Sequence, residues 1–194
     1  MKLQNLFQSF IGKNEVLSVF CNPGELYNSV CGFANQIDEK HFICAAISTC
    51  GKYDGYVLGK TEDAFRIDYG SYYESSLSKV FMLQCFEHKE ILRNNSVLAN
   101  FIQFAKDSAF VVSISIREYG VSVRGYISES DFDSEILILH VISREKEGEL
   151  EGFVAVSFDD IYRMSCDSAD DRFFQAMNDL AKTGTCSAVP SIPA

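Results

Sequence analysis

Tryptophan is absent from this 194-residue chain and proline occurs only three times. No apolar run approaches the ~20 residues that a membrane-spanning helix needs. Two of the prolines, Pro190 and Pro193, lie in the last five residues, so the body is not a Pro-rich linker. Seven cysteines (Cys21, Cys31, Cys44, Cys50, Cys85, Cys166 and Cys186) form no CxxC pair, and their number is odd. Neither a zinc ribbon nor a disulfide framework is indicated; most read as small core residues with idle thiols. Met1–Gly12 is interrupted by Gln4, Asn5, Gln8 and Ser9, too polar for a signal peptide. A cytoplasmic protein is the expectation. No Gly-rich phosphate loop, serine elbow or pair of catalytic carboxylates stands out, so the chain reads as non-enzymatic, with no cofactor and no metal.

What is present is apolar and aromatic. Hydrophobic residues make up 47% of the chain, with 16 Phe and 9 Tyr, enough for a core packed largely on Phe. The net charge is −10 and falls unevenly. Residues 1–95 hold 9 Lys/Arg against 11 Asp/Glu; residues 96–194 hold 8 against 16. An acidic chain is repelled by phosphate backbones at long range, which disfavours RNA and gives no support to DNA binding.

Periodicity divides the chain into matching runs. Leu3, Leu6, Phe7, Phe10 and Ile11 share a helical face that stops at Gly12. Strand patterns follow at Val16–Cys21, Leu26–Asn35, Phe42–Ser48, Tyr53–Gly59 and Ala64–Asp68. Turn signals separate them at Asn22-Pro23-Gly24, Asp38–Lys40 and Gly51-Lys52. A helical stretch carries Leu77, Val80, Phe81, Cys85, His88 and Leu92 and breaks at Asn94-Asn95. Ser96 is placed to cap a second helix with Val97, Leu98, Phe101, Ile102 and Ala105 inward. Strands then recur at Phe110–Arg117, Val121–Ser128, Ile136–Ser143, Leu150–Ser157 and Ile161–Ser165, with turns at Tyr119-Gly120 and Lys146–Gly148. Ser168 caps a last helix with Asp170 and Asp171 in its first turn, and residues 185–194 read as a loose tail.

The recurrence is an internal repeat. Residues 54–68 (DGYVLGKTEDAFRID) align without a gap on 151–165 (EGFVAVSFDDIYRMS). Gly55/Gly152, Val57/Val154, Asp63/Asp160 and Arg66/Arg163 are identical. Gly32-Phe33 and Gly125-Tyr126 fall in the second strand of each copy, where glycine permits a sharp bend. Asp63–Arg66 and Asp160–Arg163 are expected to form matched ion pairs.

This arrangement resembles the Sm-like barrel, the fold of Sm proteins and bacterial Hfq, and related SH3-like barrels. The stretch Val112–Ser128, with Gly120 and Gly125, is the most similar to the first two Hfq strands. The resemblance implies an α+β, mainly β chain: two tandem five-stranded Sm-like or SH3-like barrels with flanking helices. The first unit spans 1–95 and the second 96–184, with the tail at 185–194. Sm-like proteins bind RNA through loops and the turn between strands four and five, where only Lys60 matches in kind. The expected function is an interaction or assembly module that binds a protein partner or forms a homo-oligomer. The alternative is RNA binding through unit one, with Lys40, Lys52 and Lys60 supplying charge and Tyr53 stacking.

Other candidates have plainer readings. His41 and Cys44 are three apart, so a regular strand points them to opposite faces and away from a nucleophilic pair. His88 and His140 read as structural. Asp131, Asp133 and Glu135 lack the glycine and distal Glu of a calcium loop and read as a solvated acidic turn.

Overall fold

The computed structural model describes residues 3–22, 29–84, 87–116, 122–143 and 150–183. The Pro23-Gly24 and Tyr119-Gly120 turns, the Lys146–Gly148 hairpin, Cys85, Cys186 and the tail lie outside them. Helix α1 (Leu3–Gln8) precedes strands β1 (Val16–Phe20), β2 (Ser29–Ile37), β3 (His41–Ile47), β4 (Tyr53–Lys60) and β5 (Arg66–Tyr69). Helices α2 (Tyr72–Leu83) and α3 (Val97–Asp107) follow. The second half holds β6 (Val111–Ile116), β7 (Ser122–Asp131), β8 (Ile136–Ile142), β9 (Leu150–Ser157), β10 (Ile161–Cys166) and α4 (Ala169–Thr183). A short 3-10 turn joins β4 to β5 (Thr61–Asp63) and another joins β9 to β10 (Phe158–Asp160).

The strands do not form two barrels. They make one open ten-stranded antiparallel sheet in the order β5-β1-β2-β3-β4-β10-β6-β7-β8-β9. A barrel requires the first and last strands of a unit to meet, leaving no edge. Here β4 turns its outer edge to β10, and the four-residue β5 pairs only with β1. Each half therefore stays open, and backbone groups that would have closed a unit join the halves instead. The mainly β, α+β composition stands; the closed tandem barrels are replaced by a continuous sheet.

The repeat survives this correction at atomic register. Leu17 opposes Gly32 in the first half, as Val112 opposes Gly125 in the second. The β2–β3 register slips between Ala34 and Gln36, and the β7–β8 register slips between Ile127 and Glu129. A Cβ on Gly32 would lie 2.2 Å from the Ala45 carbonyl oxygen; one on Gly125 would lie 2.2 Å from that of His140. Both glycines thus leave room for the same close backbone crossing. Arg66 opposes Phe20 on β1, and Arg163 opposes Ser115 on β6, as the alignment of 54–68 with 151–165 requires.

The helices after each set of strands are fastened alike. Ser71 caps α2, and Glu74 at the third helical position is buried, accepting from Ser71 and from Ser18 Oγ on β1 (2.8 Å). Asp171 holds the corresponding place in α4. It accepts from Ser168 Oγ (2.6 Å) and Ser113 Oγ on β6 (2.5 Å). A buried carboxylate thus ties each helix to the first strand of its half, with its oxygens satisfied by hydroxyls.

Helix α2 ends at Leu83, so the expected helix does not reach His88 and Leu92. The chain there is held by tertiary bonds: Gln36 Nε2 donates to the carbonyls of Ile91 (2.9 Å) and Leu92 (3.3 Å). Those acceptors are used outside any helix. Helix α3 starts as expected, with Ser96 Oγ accepting from Ala99 N–H. Its buried side chains Phe101, Ile102 and Ala105 fill a core lined by Ile43, Tyr56 and Leu58 from the first half and Ile114, Leu139 and Met164 from the second. Full burial of side chains the size of Phe101 and Ile102 contributes about 1.5–3 kcal/mol each. Helix α1 covers another cluster, with Phe7 and Phe10 against Leu17, Val19, Phe42 and Cys44. Among the described residues no helix is long and apolar enough to cross a membrane.

Candidate functional site

The seam between the halves defines what a completed edge looks like. On β4, Val57 opposes Ser165, Leu58 opposes Met164 and Tyr56 opposes Cys166. Tyr53 Oη donates to Asp167 Oδ2 (2.5 Å), Ala169 N–H donates to Asp54 Oδ1 (2.9 Å), and Lys60 Nζ donates to the Asp159 carbonyl (2.6 Å). The Arg172 guanidinium lies 5.3 Å from the centre of the Tyr53 ring. Tyr56 is 0% exposed, packs edge-on against Phe104 of α3 (4.9 Å between centroids) and donates to the Lys89 carbonyl (2.7 Å).

Strand β9 is the copy of β4, and it stands at the sheet edge. Phe153, which the repeat places on Tyr56, is 65% exposed. Its ring stacks on His140 of β8 at 4.5 Å, and among the described residues no strand lies outside it. Ala155, the counterpart of buried Leu58, is exposed as well. At the far end of the sheet β5, the copy of β10, is the other free edge, and Tyr69 on it is 49% exposed with its ring on Phe10. Among the described residues the sheet thus ends in a bare β4-type edge at one side and a bare β5-type edge at the other. An open edge strand with an exposed aromatic is a template for strand addition.

No family model matches this chain, and neither a curated protein nor a solved structure matches it.

Of the lysines considered for RNA, Lys52 stands apart from the other two. Lys52 and Lys60 stand at opposite ends of β4, roughly 26 Å apart along the strand. Lys40 and Lys60 do share a groove of about 620 Å³ with His41, Phe132 and Phe158. Five carboxylates line the same groove: Asp38, Glu39, Glu62, Glu135 and Asp159. Tyr53 is engaged with Asp167 and His88 at the seam. Asp38 is a structural anchor. Burial pushes its carboxyl up, but N–H donors from Val97, His41 and Lys40 outweigh this and hold it below its ordinary value. Asp131 likewise holds its own turn, accepting from the N–H groups of Asp133 and Ser134.

Of the residues expected as ion pairs, Arg66 turns to Asp68 and lies over the Phe20 ring. Asp63 and Asp160 lie in the two 3-10 turns. Arg163 is half-buried, and its charge acts on Cys21 and Cys44. Burial nevertheless pushes the Cys21 thiol up to about 11 and those of Cys44 and Cys166 up as well. These sulfurs stay protonated at neutral pH and are poor nucleophiles. The cysteines at 21, 31, 44, 50 and 166 are free thiols. Among the described residues no group of three or more His, Cys, Asp or Glu is placed to hold a metal.

His88 is enclosed by Phe81, Tyr53, Tyr56 and Phe33, with Nε2 3.0 Å from the Ala46 carbonyl. Desolvation lowers its pKa and that of His41 below 6.5. A histidine with a lowered folded value binds fewer protons folded than unfolded. Stability from both is therefore complete above about pH 6.5 and declines as pH falls below it. Replacing His88 by Phe should flatten this acid-side decline, read from urea midpoints at about pH 7 and pH 5. An unchanged difference between the two midpoints would contradict the assignment.

Proposed function

We propose that the chain is a cytoplasmic, non-enzymatic assembly module that binds protein through its bare β9 edge, the partner being another protein or a second copy of itself. One observation carries this reading. The same aromatic position is wholly buried at the seam, as Tyr56, and 65% exposed on β9, as Phe153. A large exposed aromatic on an unpaired strand is a liability unless something covers it. The free thiols fit a reducing compartment.

A photo-crosslinking phenylalanine analogue at position 153 tests the edge directly. Irradiation of cells producing the protein should give covalent protein adducts at 153, either to this chain or to another. The same analogue at Asp107, exposed at the end of α3, supplies the background. Adducts at 153 no more abundant than at 107 would overturn the reading.

A further inference from the structure

The seam shows what fits a β4-type edge, because the molecule already contains one such edge occupied. Its occupant is a β5-type strand: β10, the copy of β5, lies antiparallel along β4. The pairing is head-to-tail. Each half uses a different edge, so joining them leaves one edge of each kind unused. An isologous contact consumes both matching surfaces; a heterologous one regenerates them. The two unused edges are β9 and β5, and both carry exposed aromatics.

Resting on the reading that β9 is the interaction surface, we infer that its occupant is the β5 edge of a second copy of this chain, in the register of the seam. Four seam pairs translate through the repeat. Arg163 opposite Gly59 becomes Arg66 opposite Val156, and Met164 opposite Leu58 becomes Ile67 opposite Ala155. Ser165 opposite Val57 becomes Asp68 opposite Val154, and Cys166 opposite Tyr56 becomes Tyr69 opposite Phe153. The last pair sets two exposed rings face to face across the strands, a favourable cross-strand combination. The translated contacts agree beyond the strands. Glu151 stands where Asp54 stands, and Tyr72, 90% exposed at the start of α2, stands where Ala169 stands. At the seam that pair is a carboxylate accepting from the first N–H of a helix. Glu151 brings a carboxylate to the same end of α2, where the helix dipole favours it.

Disulfide trapping reads the register. In a background with Cys50, Cys85 and Cys186 replaced by Ser, Tyr69→Cys chains are mixed with Phe153→Cys chains under mild oxidation. Linked dimers are expected in the mixture and not in either variant alone, since only opposed residues come within bonding reach. Asp68→Cys mixed with Phe153→Cys should stay unlinked, because successive strand residues face opposite sides. Linkage of Phe153→Cys to itself would show a symmetric β9 contact and overturn the inference, as would no linkage in the mixture.

Sedimentation of the unmodified chain is independent of the cysteines. Its mean mass should rise with concentration, and Phe153→Glu should weaken self-association about tenfold or more, by placing an unpaired carboxylate against Tyr69. A chain that remains monomeric at every concentration overturns the inference. If adducts at position 153 then go only to other proteins, the β9 edge remains an interaction surface and the second copy is excluded. If 153 gives no adducts at all, both fail.

Discussion

Gly55→Ala should lower stability by about 3–5 kcal/mol, and Gly152→Ala by about 1–2 kcal/mol, although the repeat makes the two glycines equivalent. Gly55 has φ +70, and an added Cβ would lie 2.2 Å from the Cys166 carbonyl oxygen and 2.4 Å from the Asp167 carbonyl carbon. Both obstacles are backbone of the opposing strand, so relief requires β4 and β10 to separate. Gly152 has φ +145, a conformation L residues rarely adopt, but nothing lies within 4 Å of its added Cβ. Its replacement costs backbone strain without a collision. Chemical denaturation of the two single variants measures the difference. Equal losses would mean that the seam is no tighter than the open edge.

Tyr56→Ala and Phe153→Ala form a second contrast at equivalent positions. Tyr56 is fully buried among Ile43, Leu58, Phe101 and Met164, and its hydroxyl holds the Lys89 carbonyl. Removing the ring leaves a cavity between the halves and an unpaired acceptor, a loss of about 3–5 kcal/mol. Phe153 stacks on His140 and is mostly exposed among the described residues, so its loss should cost the isolated chain under about 1 kcal/mol. Urea midpoints at low protein concentration check both values. A Phe153→Ala loss as large as that of Tyr56→Ala would show that β9 is covered within the chain.

Much of this asymmetry was written in the sequence, and one part was not. The alignment of 54–68 on 151–165 correctly paired Gly55 with Gly152 and Tyr56 with Phe153, because turn glycines and alternating apolar positions report local strand geometry. The glycines at 32 and 125 stood out in the sequence too, and the structure uses both for close approach to the neighbouring strand. Which edge joins which was not legible. Strand pairing is made by N–H and C=O groups that nearly every residue carries, so the side chains of β4 and β5 do not say whether a unit closes on itself or joins its copy. The segment from His88 to Leu92 misled in a related way. Its apolar spacing suits a helix, but Gln36, far away in sequence, takes the carbonyls of Ile91 and Leu92. Of the lysines at 40, 52 and 60, the structure brings Lys40 and Lys60 together, but among carboxylates of the same groove, and leaves Lys52 at the other end of β4. The repeat places Phe153 on Tyr56, but its exposure was not legible: it follows from the seam, which covers one copy of the position and leaves the other on an edge strand.

Amide hydrogen exchange at low protein concentration tests the central claim most directly: one ten-stranded sheet, joined at β4–β10 and bare at β9. The account predicts that the seam amides of residues 56–59 and 163–166 exchange as slowly as those of the β2–β3 ladder, while outward amides of 153–156 exchange quickly. Fast exchange across 56–59 and 163–166, with slow exchange retained inside each half, would show two separately folded units and contradict it.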